Sequence, residues 1–187
     1  NIWLGYVSDL GVQQISSKKS YSKYRLGFIG TQNSINAAAI NNLWRTLTKK
    51  SLDWEVLIAG DICKGIKNCP SNIHLWENTK LCDFYENIEA LVIPVFAQTG
   101  ASTKCLEAIS RSVPVFTTDH IMKGIGIQTS YQYPSNENEF EHFLESEKID
   151  AIRHQQEGDY ARYLSEVEIQ KEQLLSMLVS DRVSAQV

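Results

Sequence analysis

The sequence has no excess of positive charge: 18 lysines and arginines stand against 22 aspartates and glutamates, a net charge of -4. Wrapping a polyanion needs a concentrated basic stripe, so nucleic-acid binding is excluded as a main role. Any phosphate that binds must be small and locally held. A long apolar run is missing too. The longest, from Ala90 to Ala97, falls far short of the roughly 20 residues that span a bilayer and contains Pro94, so no transmembrane segment is expected. No basic stretch precedes Ile2-Trp3-Leu4 in the manner of a secretion signal, and a start at Asn1 is what a processed or excised chain is expected to show. Cysteine is scarce. Cys63, Cys69, Cys82 and Cys105 include no pair with the close spacing of a zinc knuckle or redox dithiol, and they read as reduced thiols of a cytoplasmic protein. Internal repeats and low-complexity tracts are also absent, which argues against a solenoid.

What is present suits one domain: 187 residues, 43% of them hydrophobic, bury a sizeable core once but hardly twice. Residues 1–22, with Ser16-Ser17-Lys18-Lys19-Ser20, read as a linker or extension, and residues 23–187 as the domain. Tyr24 to Gly30 is a strand-like run closed by glycine. Asn33 and Ser34 follow as candidate helix caps, and Ile35, Ala38, Ala39, Leu43 and Leu47 recur at helical spacing up to Lys49-Lys50. The same grammar repeats with strands at Trp54–Gly60, Ile73–Trp76, Leu91–Pro94 and Val113–Thr117, and with helices at Leu81–Tyr85 and Cys105–Ser110. Phe140, Phe143 and Leu144 mark a further helix, and a stretch from about Ile149 to Leu178, dense in Glu, Gln and Lys, packs outside the sheet. Short apolar runs alternating with amphipathic helices predict an α/β fold, a doubly wound, mainly parallel Rossmann-like sheet with helices on both faces.

In such a sheet ligands bind beyond the carboxyl ends of strands, so the loops after Gly30, Gly60, Pro94 and Thr117 are the places to search. The most informative is Thr99-Gly100-Ala101-Ser102-Thr103-Lys104, where a buried strand gives way to small, hydroxylated residues and then to a helix. Small residues let an anion reach exposed backbone N–H groups, and the helix dipole favours it there. Lys104 in a first helical turn costs about 0.3–1 kcal/mol unless an anion compensates it. Glu107, one turn on, is placed to accept hydrogen bonds from ribose hydroxyls. Lys104, Glu107 and Arg111 are also spaced as an ordinary solvated helix face, and spacing alone does not separate the two. Asp119-His120 is a weaker candidate acid/base pair, His74 reads as a half-buried strand residue, and Trp76 and Tyr85 suit either a nucleobase or the core.

The order and distances of Phe28-Ile29-Gly30, Leu57–Asp61, Ile88–Pro94, Thr99-Gly100, Lys104–Ile109, Val113–Thr118 and Lys123-Gly124-Ile125 resemble the C-terminal, donor-binding domain of group 1 glycosyltransferases. The resemblance covers about Leu26 to Ile127. It implies half of a GT-B fold and a nucleotide-sugar-dependent glycosyltransferase. Such an enzyme retains anomeric configuration, needs no metal or cofactor, and acts in glycan or polysaccharide biosynthesis on a donor such as a UDP- or GDP-sugar. It further implies a glycan, lipid-linked or protein acceptor held by an N-terminal domain, and a cytoplasmic location that is peripheral at the membrane through that domain. Glu107 resembles the second of the family's paired glutamates, which holds the ribose. Gly100, Ala101 and Ser102 fall where backbone N–H groups meet the phosphates, while Trp76, Glu77 and Asn78 border the base pocket. Two departures stand out: Thr99 occupies the place of the first glutamate, and the loop from Gly30 and Thr31 to Asn36 has no cation, a duty left to Lys64 or Lys104. These departures motivate the alternative of a degenerate, non-catalytic module that binds a partner subunit. An epimerase of the same fold is disfavoured, since no carboxylate or histidine set for proton abstraction is evident.

Overall fold

A computed structural model describes residues 22–96, 102–129, 131–146 and 149–184. Five strands form one sheet: β1 Tyr24–Ile29, β2 Val56–Ala59, β3 Ile73–Trp76, β4 Ile88–Ile93 and β5 Val115–Thr117. Their order is β3-β2-β1-β4-β5 and every pairing is parallel, with Leu26 opposite Val56 and Ala90, and Leu91 opposite Val115. Parallel strands covered on both faces have no solvent side. Accordingly β2 is buried at every position and β4 at all but Glu89. The chain winds outward from β1 through β2 to β3, then returns to β4 on the other side of β1. The carboxyl ends of β1 and β4 therefore diverge into a crevice at the switch point, where open α/β sheets bind ligands.

The first crossover, helix α1 Ser34–Lys49, starts at that crevice. Asn33 caps it, its side chain accepting from the Asn36 N–H at 2.8 Å. The buried stripe runs through Asn36, Ala39, Ile40, Leu43, Thr46 and Leu47, so the expected phase is shifted: Ile35 is 41% exposed and Ala38 is exposed. The reason is the Asn36 amide, which turns inward to donate to the Thr31 carbonyl at 2.7 Å and holds the loop that closes β1. Helix α2 Leu81–Asn87 and helix α3 Thr103–Ser110 complete the next crossovers.

Two elements were not legible as such: a 3-10 turn at Asp61–Gly65, and helix α4 Asp119–Gly124, where the sequence suggested an acid/base loop. Helix α5 Glu137–Ser146 lies beside α1, tied by Arg45 to Glu137, Lys49 to Glu141 at 2.6 Å and Lys50 to Glu145 at 2.7 Å. The C-terminal stretch is one helix, α6 Ile149–Ser184, of 36 residues. It packs on the domain through Ile152, Gln156, Asp159 and Tyr163, while Ile169 and Leu175 are each 54% exposed. The expected N-terminal linker falls almost wholly outside the described residues.

The switch point depends on two glycines. Gly60, after β2, has φ +90°, and a Cβ there would lie 2.6 Å from the Gly30 carbonyl oxygen, which itself accepts from the Ile62 N–H at 3.1 Å. That backbone region is open essentially to glycine alone, so Gly60→Ala is expected to lose at least about 2 kcal/mol in a urea titration. A loss under about 0.5 kcal/mol would contradict this account of the two loops.

Candidate functional site

The crevice lies between the exits of β1 and β4, with β2 and β5 next to them in the sheet. On the β1 side, Gly30 hands over to Thr31, whose hydroxyl accepts from the Asn33 amide at 3.1 Å. A Cβ on Gly30 would sit 2.8 Å from the Asn36 amide nitrogen, so glycine and Asn36 fit as a pair. On the β5 side two buried threonines anchor the exit of β4: Thr117 donates to the Ile93 carbonyl at 3.1 Å and Thr118 to that of Val95 at 2.8 Å. This holds the chain at the end of β4 against β5.

Helix α3 opens at Ser102 with no side-chain cap and no acidic residue in its first turn, so its positive end is uncompensated by its own sequence. Lys104 adds a full positive charge there. Its ammonium lies 5.7 Å from the centre of the Phe28 ring, which places it against β1 at the switch point. Among the described residues it has no acidic partner. Burial lowers its pKa below the ordinary 10.5. A cation over a ring face gains about 0.5–2 kcal/mol, less than full ion pairing would give a partly desolvated charge.

Glu107 is held differently. Its side chain is 15% exposed; Arg111 lies 3.6 Å from one carboxylate oxygen, and the Tyr85 hydroxyl lies 3.5 Å from the other. Tyr85 is 3% exposed and its hydroxyl also reaches the Lys104 carbonyl at 3.4 Å. Its position in the core leaves it no face for stacking on a base. Trp76, at the end of β3, is partly buried edge-on to Tyr24, and its carbonyl accepts from the Gly60 N–H at 2.9 Å. Asn78 is exposed just beyond it.

Gly30 and Thr31 thus follow β1, and Ser102, Thr103 and Lys104 open α3, with Lys104 over Phe28 of β1. Glu107 lies one turn further along α3 beside Tyr85 and Arg111, and Trp76 and Asn78 stand at the end of β3. Thr99, Gly100 and Ala101 lie outside the described residues. Of the two candidate cations, Lys64 is exposed and paired with Asp61 at 2.6 Å, three residues earlier in the same turn, whereas Lys104 has no such partner. Asp119 and His120 form no pair: the Asp119 carboxylate meets Lys123 at 2.6 Å, and the buried His120 Nε2 has no hydrogen-bond partner among the described residues. Sequence reading missed Asn36 as the organiser of the Gly30 loop and missed Tyr85 as a neighbour of Glu107. Only the Glu107–Arg111 spacing hinted at that cluster.

A cavity of about 620 Å³ lies beyond β5, lined by residues including Asp119, Lys123, Gln128 and Tyr131. Of the residues singled out from sequence it takes Asp119, the weaker acid/base candidate, and none of the donor-binding set. Among the described residues no group of three His, Cys, Asp or Glu side chains could hold a metal ion, and no helix is long and apolar enough to cross a membrane.

No protein-family model matches the sequence, and no curated protein matches it. Solved structures do. A chain of the crystal structure of GtfA/B complex superposes with a TM-score of 0.59 at 17% identity, over 88% of this chain and 38% of that one. This chain therefore spans well under half the length of that neighbour. A likeness at this identity speaks to the fold alone, and with the parallel sheet order it gives the conclusion that the chain carries a glycosyltransferase-like, Rossmann-like α/β fold.

Proposed function

We propose that this chain is the donor-binding part of a nucleotide-sugar-dependent glycosyltransferase of GT-B architecture, retaining and independent of metal. The observation that carries the reading is Lys104: a partly buried cation without an acidic partner among the described residues, at an uncapped helix start facing the switch point of the sheet. Such a site calls for a small, doubly charged anion. The diphosphate of a UDP- or GDP-sugar meets Lys104 and the backbone N–H groups at the start of α3. Glu107 accepts from the ribose hydroxyls, and Trp76 and Asn78 border the base. The chain's contribution to transfer is to hold the donor and stabilise charge as the nucleoside diphosphate leaves. The acceptor is held by a further domain, and the reaction takes place in the cleft between the two.

The reading predicts that a nucleoside diphosphate stabilises the chain against heat and that Glu107→Ala removes this stabilisation. A Glu107→Ala protein that responds to ligand as the wild type does would count against the ribose assignment. It also predicts a proton linkage. Because burial holds the Lys104 pKa below 10.5, a bound diphosphate raises it again, so binding takes up protons as pH climbs into that depressed range. Affinity should therefore weaken as pH rises through the lowered value. Titrations in buffers of different ionisation heat will show the uptake, and Lys104→Met should abolish it.

A second reading, a partner-binding module that transfers nothing, is favoured by the exposed Ile169 and Leu175 of α6. The structural neighbour comes from a GtfA/B complex, which is in keeping with a partner subunit. Transfer by the complete protein that is unaffected by combined Lys104 and Glu107 substitutions would favour this reading.

A further inference from the structure

We propose that Tyr85 and Arg111 are positioning residues that aim the Glu107 carboxylate at the paired hydroxyls of a nucleotide ribose, a role that rests on the donor-binding reading above. The three side chains come from two helices and a cap: Tyr85 from α2, Glu107 from α3 and Arg111 from the C-cap of α3. The Arg111 guanidinium lies 5.4 Å from the centre of the Tyr85 ring, and its Nη2 faces one oxygen of Glu107 at 3.6 Å. The Tyr85 hydroxyl faces the other oxygen at 3.5 Å.

An ordinary i,i+4 pair on a helix surface is solvated and mobile. Here both charged side chains are only 15% exposed, and the guanidinium lies over the Tyr85 ring. Each oxygen of Glu107 thus has one neighbour on a different side, and this sets the rotation of the carboxylate. Both contacts are long: the Tyr85 hydroxyl stands at the limit of hydrogen-bond range and Arg111 meets its oxygen as an ion pair beyond it, while a carboxylate has about four acceptor positions. It is oriented without being saturated, which is what accepting two further hydroxyls requires. The Arg111 Nε is buried with no hydrogen-bond partner among the described residues, which offer no other polar contact to that edge of the guanidinium. Burial and the nearby Glu107 charge push the Tyr85 phenol well above its ordinary pKa, so it stays a donor.

The test compares dissociation constants of the 187-residue chain for UDP and GDP with those for their 2′-deoxy forms. For the base that binds, the wild type should prefer the ribose form at least tenfold. Tyr85→Phe and Arg111→Gln should cut that preference to twofold or less while leaving affinity for the deoxy form within about twofold. Arg111→Lys, which keeps charge but loses the planar fork, should fall between. Full preference in a folded Tyr85→Phe and a folded Arg111→Gln overturns the proposal. Should Arg111→Gln fail to fold, Tyr85→Phe decides, since it keeps the buried ring. Wild-type binding of both forms alike removes the ribose role but keeps the phosphate site. Binding of neither form removes the donor-binding reading and this proposal with it.

Discussion

Replacing Gln156 with leucine will lower the stability of the domain by about 2–4 kcal/mol, although the two side chains are similar in size. Strand β5 pairs with β4 on one side only, so its other edge presents backbone groups with no strand to meet them. Gln156 of α6, 2% exposed, fills that place. Its amide oxygen accepts from the Val115 N–H at 2.8 Å, and its amide nitrogen donates to the Val115 carbonyl at 2.8 Å and to the Tyr133 hydroxyl at 2.7 Å. The side-chain amide thus acts as a one-residue strand. Leucine would leave a buried donor and acceptor of Val115 unmatched, at about 1–3 kcal/mol each. Tertiary relaxation or an entering water offsets part of that. For a domain of this size the loss corresponds to a melting temperature lower by roughly 4–16 °C. Gln156→Glu should also destabilise, because one carboxylate oxygen would then face the Val115 carbonyl. Urea titrations with unchanged slope and a shifted midpoint will report the effect. A loss below about 1 kcal/mol for Gln156→Leu would mean that β5 does not depend on α6.

The second large effect has opposite signs for stability and binding. Lys104→Met removes a partly buried cation that has no acidic partner among the described residues, and the thioether keeps the contact with Phe28. The free protein should therefore be as stable as the wild type or more so. Nucleoside diphosphate affinity should nevertheless fall roughly tenfold to a hundredfold, the range expected when a charged hydrogen bond to an anion is lost. A lysine retained for packing would behave otherwise, with its loss weakening the fold and leaving ligand affinity alone. The stability of the wild type should carry the same signature in its pH dependence. A lysine whose pKa is lowered by folding exerts its full cost below that lowered value, and the cost disappears as pH rises to 10.5. Lys104→Met should flatten that alkaline rise.

The sheet was legible because its strands are doubly buried. Runs such as Val56–Ala59 and Ala90–Ile93 are apolar at every step, and such runs between helical stretches leave little besides a parallel sheet. The start of α1 was legible through Asn33, whose capping bond is local. The burial phase of α1 was not, because it is set by a polar residue: Asn36 turns inward to meet the Thr31 carbonyl, and apolar periodicity is blind to this. Gln156 escaped notice for the same reason. Its partner is 41 residues away, and it sits among glutamines and glutamates that read as a solvated helix. The choice between Lys64 and Lys104 was open in sequence, and pairing distinguished them: Asp61 lies three residues from Lys64, whereas the environment of Lys104 is assembled from α3 and β1. Tyr85 reaches Glu107 across 22 residues by tertiary packing, which no local pattern records.

On the donor-binding function proposed above, the crevice between β1 and β4 receives a nucleoside diphosphate. The most direct test of this claim is the melting temperature of the chain as UDP or GDP is added. A ligand that binds only the folded state stabilises it by mass action, by about 2.7 kcal/mol at a hundredfold excess over its dissociation constant. The predicted result is a saturable rise of roughly 5–10 °C with at least one of the two diphosphates, and none with the free nucleoside. A melting temperature unmoved by millimolar UDP and GDP alike would contradict the claim.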